Sequence, residues 1–229
     1  LSRNYNNRNP HASMFEVGTI YVKNADPGKL PHESGVLCIG MYGGDADYFA
    51  LKGAVEALMT AIGAQADYAA VTNAPTFHPG RCAEVLLGGK RAGLMGEVHP
   101  LVAQGYEIQT RCYLATIDMP ALFAARYAEK VYTPLPKYPA VTRDIALICD
   151  EEIPVLTLEK EIKNAAGRIL EKVELFDVYK GKQIEAGKKS IAFSLVLRSA
   201  DATLTDEQAD AAMKRILKAM AAMGAQLRA

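Results

Sequence analysis

Net charge is the first thing this sequence lacks: 26 lysines and arginines stand against 26 aspartates and glutamates. That balance excludes the protein-wide positive field of many nucleic-acid binders, so any site for a polyanion has to be local. Long apolar runs are missing too. No window approaches the roughly 18 residues that a membrane span requires, and no basic segment followed by an apolar one opens the chain. The expectation is a cytoplasmic protein with no membrane partner. Cysteine is scarce: Cys38, Cys82, Cys112 and Cys149 are far apart, with no Cys-x-x-Cys pair. This argues against half a zinc site and for free thiols among apolar neighbours in a reducing compartment. The chain starts at Leu1 without a methionine and runs through a polar stretch to residue 11, so a piece of something longer is expected.

What is present suits a soluble globular protein of one large or two modest domains, since half of the 229 residues are hydrophobic and 23% are charged. The spacing predicts a buried strand over 14–22, a strand over 35–41, and a helix over 46–62 that presents Phe49, Val55 or Leu58, and Ile62 on one side. Asp45 or Asp47 can cap that helix and Gly63 can stop it. A short strand follows over 67–71 and a loop over 72–80. Residues 81–99 form two strands around Gly88-Gly89, the strongest hairpin signal in the chain. A short helix after Pro100, a strand over 112–117 and a helix over 119–129 complete the first unit.

Pro134, Pro136 and Pro139 crowd one short stretch, which reads as an extended link and a domain boundary. Beyond it the predicted order is strand 142–149, helix 156–170, strand 173–179, strand 190–198, helix 206–223 and strand 225–228. Thr205 and Gln208 have the spacing of a capping box and Gly224 can end the last helix. That order, βαββαβ, is ferredoxin-like: a four-stranded antiparallel sheet with both helices on one face and the other left open. Alternation sends Ile145, Leu147, Phe176, Val178, Ile191, Phe193, Leu195 and Leu197 toward the helices. It leaves Asp144, Ala146, Ile148, Leu175, Asp177, Tyr179, Ser190, Ala192 and Ser194 on the open side. Between Asp177 and Arg198, Lys180, Lys182, Lys188, Lys189 and Arg198 face only Asp177 and Glu185, a net of plus three. A small flat face with an aromatic ring and a basic rim suits single-stranded RNA, although such a hairpin is as often an ordinary solvated surface.

Two other candidate sites are weaker. His78, Glu97 and His99 could contribute to a metal site, but no further ligand is placed beside them. Residues 40–44, GMYGG, lack the lysine and the glycine spacing of a phosphate-cradling loop and read as a turn.

Several long segments carry a family resemblance. RDIALICD at 143–150, ELFDVYKGKQI at 174–184, GKKSIAFSLVLRS at 187–199, TLTDEQ at 203–208 and GAQLR at 224–228 resemble the anticodon-binding domain that ends the bacterial phenylalanyl-tRNA synthetase beta subunit. FEVGTIY at 15–21, GDADYFALKG at 44–53, the run at 77–100 and YPAVTRD at 138–144 are similar to the synthetase-like domain preceding it. The resemblance implies an α+β fold: a partial, catalytically inactive class II synthetase-like domain over 1–130, a proline-rich link over 131–137, and a ferredoxin-like anticodon-binding domain over 138–229.

It also implies partners: an alpha subunit that activates phenylalanine, phenylalanine tRNA, and a second alpha–beta pair in a heterotetramer. The holoenzyme uses ATP and Mg2+, and this fragment needs no cofactor of its own. Class II chemistry requires arginines on the phosphates of ATP; the strand at 14–21 has none, and Glu97, Val98 and His99 stand where the later one is expected. The chain alone is therefore expected to be inactive. For tRNA, the resemblance carries the anticodon contacts onto Ala146, Asp177, Tyr179 and Ser190, all outward by alternation, with Tyr179 stacking a base. Charge adds Lys188, Lys189 and Arg198 as phosphate contacts. The competing expectation is a protein-interaction scaffold whose sheet binds no RNA.

Overall fold

The computed structural model describes residues 1–125, 132, 134–181 and 183–228. The chain divides into two units, Leu1–Val131 and Tyr132–Ala229, each with its own core. The part of the predicted helix beyond Ala125, and residues 131 and 133 of the predicted link, lie outside the described residues.

The first unit is one antiparallel sheet in the order β1-β2-β6-β5-β4-β3. Its strands are β1 Ala12–Val22, β2 His32–Tyr42, β3 Ala66–Ala70, β4 Phe77–Leu87, β5 Lys90–Val98 and β6 Cys112–Asp118. The helices are α1 Ser2–Asn6, α2 Tyr48–Ile62, α3 Pro100–Gly105 and α4 Met119–Ala125. The β4–β5 hairpin turns at Gly88 and Gly89, both at positive φ (57° and 76°), as a two-residue turn of this hand requires. Helix α2 begins where the Asp47 carboxylate accepts from the Ala50 amide at 2.6 Å, and ends at Gly63 in the left-handed region.

Two expectations fail here. On α2, Val55 is buried and Leu58 and Ile62 pack partly buried against the core, as expected, but the stripe is completed by Leu51 and Met59, packed with Val85, Met95, Ala115 and Ile117, whereas Phe49 is 74% exposed. Leu51, Val55 and Met59 repeat every four residues, so the stripe is rotated from the one read through Phe49. Strand β1, expected to be buried, is exposed along nearly its whole length. It is the sheet edge and, among the described residues, pairs only with β2, while α2 and α4 pack inward from β2. Phe15 and Val17 therefore border an apolar groove of about 590 Å³ with Leu37 and Ile39 of β2, Leu58 of α2 and Phe123 of α4.

The second unit has strands β7 Val141–Asp150, β8 Leu170–Tyr179, β9 Lys188–Leu197 and β10 Gln226–Leu227, and helices α5 Val155–Ala166 and α6 Asp206–Ala222. The sheet order is β10-β7-β9-β8, the ferredoxin-like arrangement. Ile145, Leu147, Ile191, Phe193 and Leu195 on one sheet face meet Leu158, Ile162, Ile216 and Met220 of the helices. The Thr205 and Gln208 side chains form the reciprocal capping box at the start of α6. Helix α5 stops at Gly167 (φ 71°), short of the predicted end, and a 3-10 turn over Gly167–Ile169 leads into a β8 that starts at Leu170.

Strand β8 also corrects the predicted facing. Its pairing with β9 slips between Leu175 and Asp177, so Phe176 is the extra residue of a bulge and is 59% exposed rather than packed under the helices. Leu175 pairs with Phe193 and so takes the helix side, not the open one; beyond the bulge Asp177 and Tyr179 return to the open side. Val178 pairs with the core residue Ile191 but stays 43% exposed, because β8 is an edge strand.

Candidate nucleic-acid interface

The sheet face opposite α5 and α6 is laid out by register. Ala146 of β7 pairs with Ala192 of β9, which pairs with Asp177 of β8. In the next row Gln226 of β10 pairs with Ile148, Ile148 with Ser190, and Ser190 with Tyr179. The four predicted contact residues therefore lie in two adjacent rows. Ala146 and Ala192 give a floor of methyl groups on which a planar ring can approach the backbone closely. Asp177 stands exposed at one side as an acceptor-only group.

Tyr179 is half-buried, and its position depends on the loop after β8. A Cβ built on Gly181 would come 2.4 Å from the Tyr179 hydroxyl and 2.7 Å from Cζ. Only glycine lets that ring lie where it does. Ser190 shares the face by register but is 3% exposed. Its hydroxyl accepts from Arg228 Nη1 at 3.3 Å, and the Arg228 guanidinium lies 5.9 Å from the centre of the Tyr179 ring. The Arg228 amide donates to the Ala146 carbonyl at 2.8 Å, continuing β10. The sequence reading gave Arg228 no role; the available signal was its place at the end of the GAQLR segment, on the strand beside Ala146.

The expected phosphate contacts separate into three cases. Lys188 is half-buried and paired with Glu185 at 2.9 Å; the contact holds the lysine's pKa above its ordinary value and the glutamate's below. The two charged ends face solvent, where such a pair is weak, so the lysine can exchange the glutamate for another anion. Lys189 does not fit the expectation. It is 7% exposed, on the helix side with Cys149, and its ammonium donates to the carbonyls of Glu151 (2.9 Å) and Ile153 (2.5 Å). Strand alternation explains this, since the neighbour of an outward residue points inward. Arg198 is held by the Glu171 carboxylate and the Tyr138 carbonyl. Eight residues along an extended strand also put it about 27 Å from Ser190. Elsewhere on the rim, Lys180 pairs with Glu151 and depresses its pKa, and Lys182 lies outside the described residues.

In the first unit, Glu97 is 3% exposed, with Arg81 Nη1 at 2.9 Å and Arg111 Nε at 3.8 Å. His99 Nδ1 accepts from the Leu101 amide and caps α3, and His78 Nδ1 accepts from the Gly80 amide. Glu97 is thus engaged by guanidinium groups and both imidazoles by backbone. Among the described residues no three histidine, cysteine or acidic side chains are grouped to hold a metal, and no helix is long and apolar enough to cross a membrane.

Comparison with known proteins follows the same division. A family described as the phenylalanyl tRNA synthetase beta chain CLM domain matches residues 1–119, and a ferredoxin-fold anticodon binding domain matches residues 136–228. The phenylalanine–tRNA ligase beta subunit of Clostridium acetobutylicum is 43% identical over 230 residues, covering all of this chain and 29% of that protein. That of Clostridium tetani is 44% identical over the same extent, and that of Bacillus subtilis is 36% identical over 96% of this chain. The chain spans less than a third of the length of the relatives it matches.

Proposed function

The chain belongs to the phenylalanyl-tRNA synthetase beta-chain family, and from that membership we propose that it binds the anticodon region of phenylalanine tRNA and scaffolds a catalytic alpha subunit. The setting is ATP-dependent aminoacylation in the cytoplasm. The observation that carries the RNA part is the convergence of Ala146, Asp177, Tyr179 and Ser190 in two adjacent rows of the sheet face opposite α5 and α6. An unstacked base lies over the alanine floor against Tyr179, Asp177 accepts from an amino or imino group on its edge, and Lys188 meets a neighbouring phosphate.

Residues 1–130 serve as a degenerate class II unit, 131–137 as a link and 138–229 as the RNA-binding unit. The relatives are named as beta subunits of a ligase, and a beta subunit implies a non-identical partner. The exposed groove beside Phe15 and Val17 is the apolar surface available for that partner. The alpha chain supplies phenylalanine activation with ATP and Mg2+, two alpha–beta pairs form the holoenzyme, and this chain by itself carries no ligase activity. In support of a non-catalytic role, Glu97 of the first unit is bound up with Arg81 and Arg111.

Filter binding with phenylalanine tRNA and an unrelated tRNA at two salt concentrations tests the RNA reading. Preference for the phenylalanine tRNA, weakening as salt rises, supports it; equal or absent binding at both salt concentrations leaves the sheet as a protein-interaction scaffold.

A further inference from the structure

In the first unit, β4 and β5 separate at one place. Phe77 pairs with Val98 and Cys82 with Gly96, so residues 78–81 bulge out of β4 opposite the single residue Glu97. Gly96 lets the bulge close in, since a Cβ on it would come 2.4 Å from the Arg81 carbonyl oxygen and 2.9 Å from Cys82 Cα. Beside the bulge lies a cavity of about 660 Å³, whose lining includes Val98, Ala103 and Ile108, each 6% exposed. Its charged lining is Arg81, Glu97 and Arg111, two cations against one anion. Glu97 is the buried anchor of the three, at 3% exposure. Arg81 reaches both of its oxygens through Nη1 alone, at 3.0 and 2.9 Å, which leaves Nη2 and Nε. Arg111 Nε stands 3.8 Å from the same carboxylate, beyond hydrogen-bond length, on a side chain 68% exposed. A brace for the bulge needs only Arg81; Arg111 brings a second fork to the same cavity with its donors unspent.

We propose that this cavity binds a small monocarboxylate with an apolar body. The carboxylate bridges Arg81 and Arg111, and the body lies against Val98, Ala103 and Ile108. A planar carboxylate matches the fork of a guanidinium, and one negative charge cancels the surplus of one positive charge that Glu97 leaves. Glu97 touches no ligand; it positions Arg81 and draws Arg111 to the same point. A concave, largely apolar wall with a few convergent polar groups is the form of small-molecule sites, which favours such a ligand over the phosphate backbone of RNA. The site belongs to the first unit, so it is independent of the RNA-binding reading of the second.

The test is a titration of this chain with sodium benzoate, followed by the backbone amide NMR signals of Ala103, Ile108 and Thr110. Acetate, benzyl alcohol and inorganic phosphate are the comparison ligands, and thermal unfolding of each variant is recorded alongside. Benzoate binds with a Kd in the millimolar range or below, roughly tenfold or more tighter than acetate, which lacks the body, and than benzyl alcohol, which lacks the charge. Arg111→Ala, at an exposed position, keeps the melting temperature and weakens benzoate by roughly tenfold or more, while Arg111→Lys recovers only part of the loss for want of the planar fork. Tighter binding of inorganic phosphate than of benzoate would overturn the assignment to a monocarboxylate. Signals that stay unmoved at about 50 mM benzoate, or equal affinity of Arg111→Ala and the unaltered chain, would reduce Arg81, Glu97 and Arg111 to a brace for the bulge.

Discussion

The Tyr179 ring lies over Gly181 so closely that a methyl group at 181 would sit 2.4 Å from its hydroxyl. The ring end is the part that can move, so Gly181→Ala should swing Tyr179 off its place without unfolding the sheet. The expected result is an unchanged melting temperature with anticodon stem–loop affinity lowered by about 1 kcal/mol, roughly fivefold in Kd. Calorimetry and anisotropy on one preparation check both halves.

Glu97 should matter for stability. Its buried carboxylate holds Arg81 of β4 against β5 and draws Arg111 toward the same point. Glu97→Ala removes a charge-assisted bond and opens a cavity, at a cost of about 2–3 kcal/mol. Urea unfolding of this variant should show earlier loss of the first unit while the second unfolds at its usual midpoint.

These two sites differ in how far the sequence revealed them. The open-face residues were legible because strict alternation in β7 and β9 sorts Ala146 from Leu147 and Ser190 from Ile191, and register then brings them together. Alternation broke down in β8, where the bulge at Phe176 shifts the pattern by one residue. It also misjudged β1, because an apolar strand at a sheet edge has the same composition as one in the middle. Charge counting was the weakest guide. Lys189 and Arg198 carry charge that the fold spends on carbonyls and on Glu171, and no local pattern marks a lysine as already engaged. Arg228 was hidden for the converse reason: its place on this face comes from strand β10 lying beside β7, a contact between segments about 80 residues apart in sequence.

The groove beside β1 gives a prediction about assembly. Val17 is 57% exposed and Phe15 is 76% exposed, so replacing either with aspartate should leave this unit folded. Co-purification with an alpha subunit should fall sharply for Val17→Asp and Phe15→Asp, since a central apolar anchor contributes about 2 kcal/mol or more. Undiminished co-purification of both variants would place the partner elsewhere.

The thiols give a pH signature. Burial is the largest cause raising the pKa values of Cys82, Cys112 and Cys149 above the ordinary thiol value of 9.0. A group whose pKa is higher in the folded state favours folding below its unfolded value, and that contribution is lost as pH rises past it. The stability of the chain should therefore hold between neutrality and pH about 8 and decline above about 9. At pH 8 these three buried thiols should react with a disulfide reagent only after denaturation, ahead of which the half-buried Cys38 should react alone.

Binding of the anticodon region by the open face of the second unit is decided by one comparison: stem–loop affinity of the unaltered chain against Tyr179→Ala, for the phenylalanine tRNA loop and an unrelated loop. Loss of the stacking platform should weaken binding of the phenylalanine loop by about 1–3 kcal/mol and remove most of its advantage over the unrelated loop. Equal affinity for both loops, unaltered by the substitution, would show that this face does not read the anticodon.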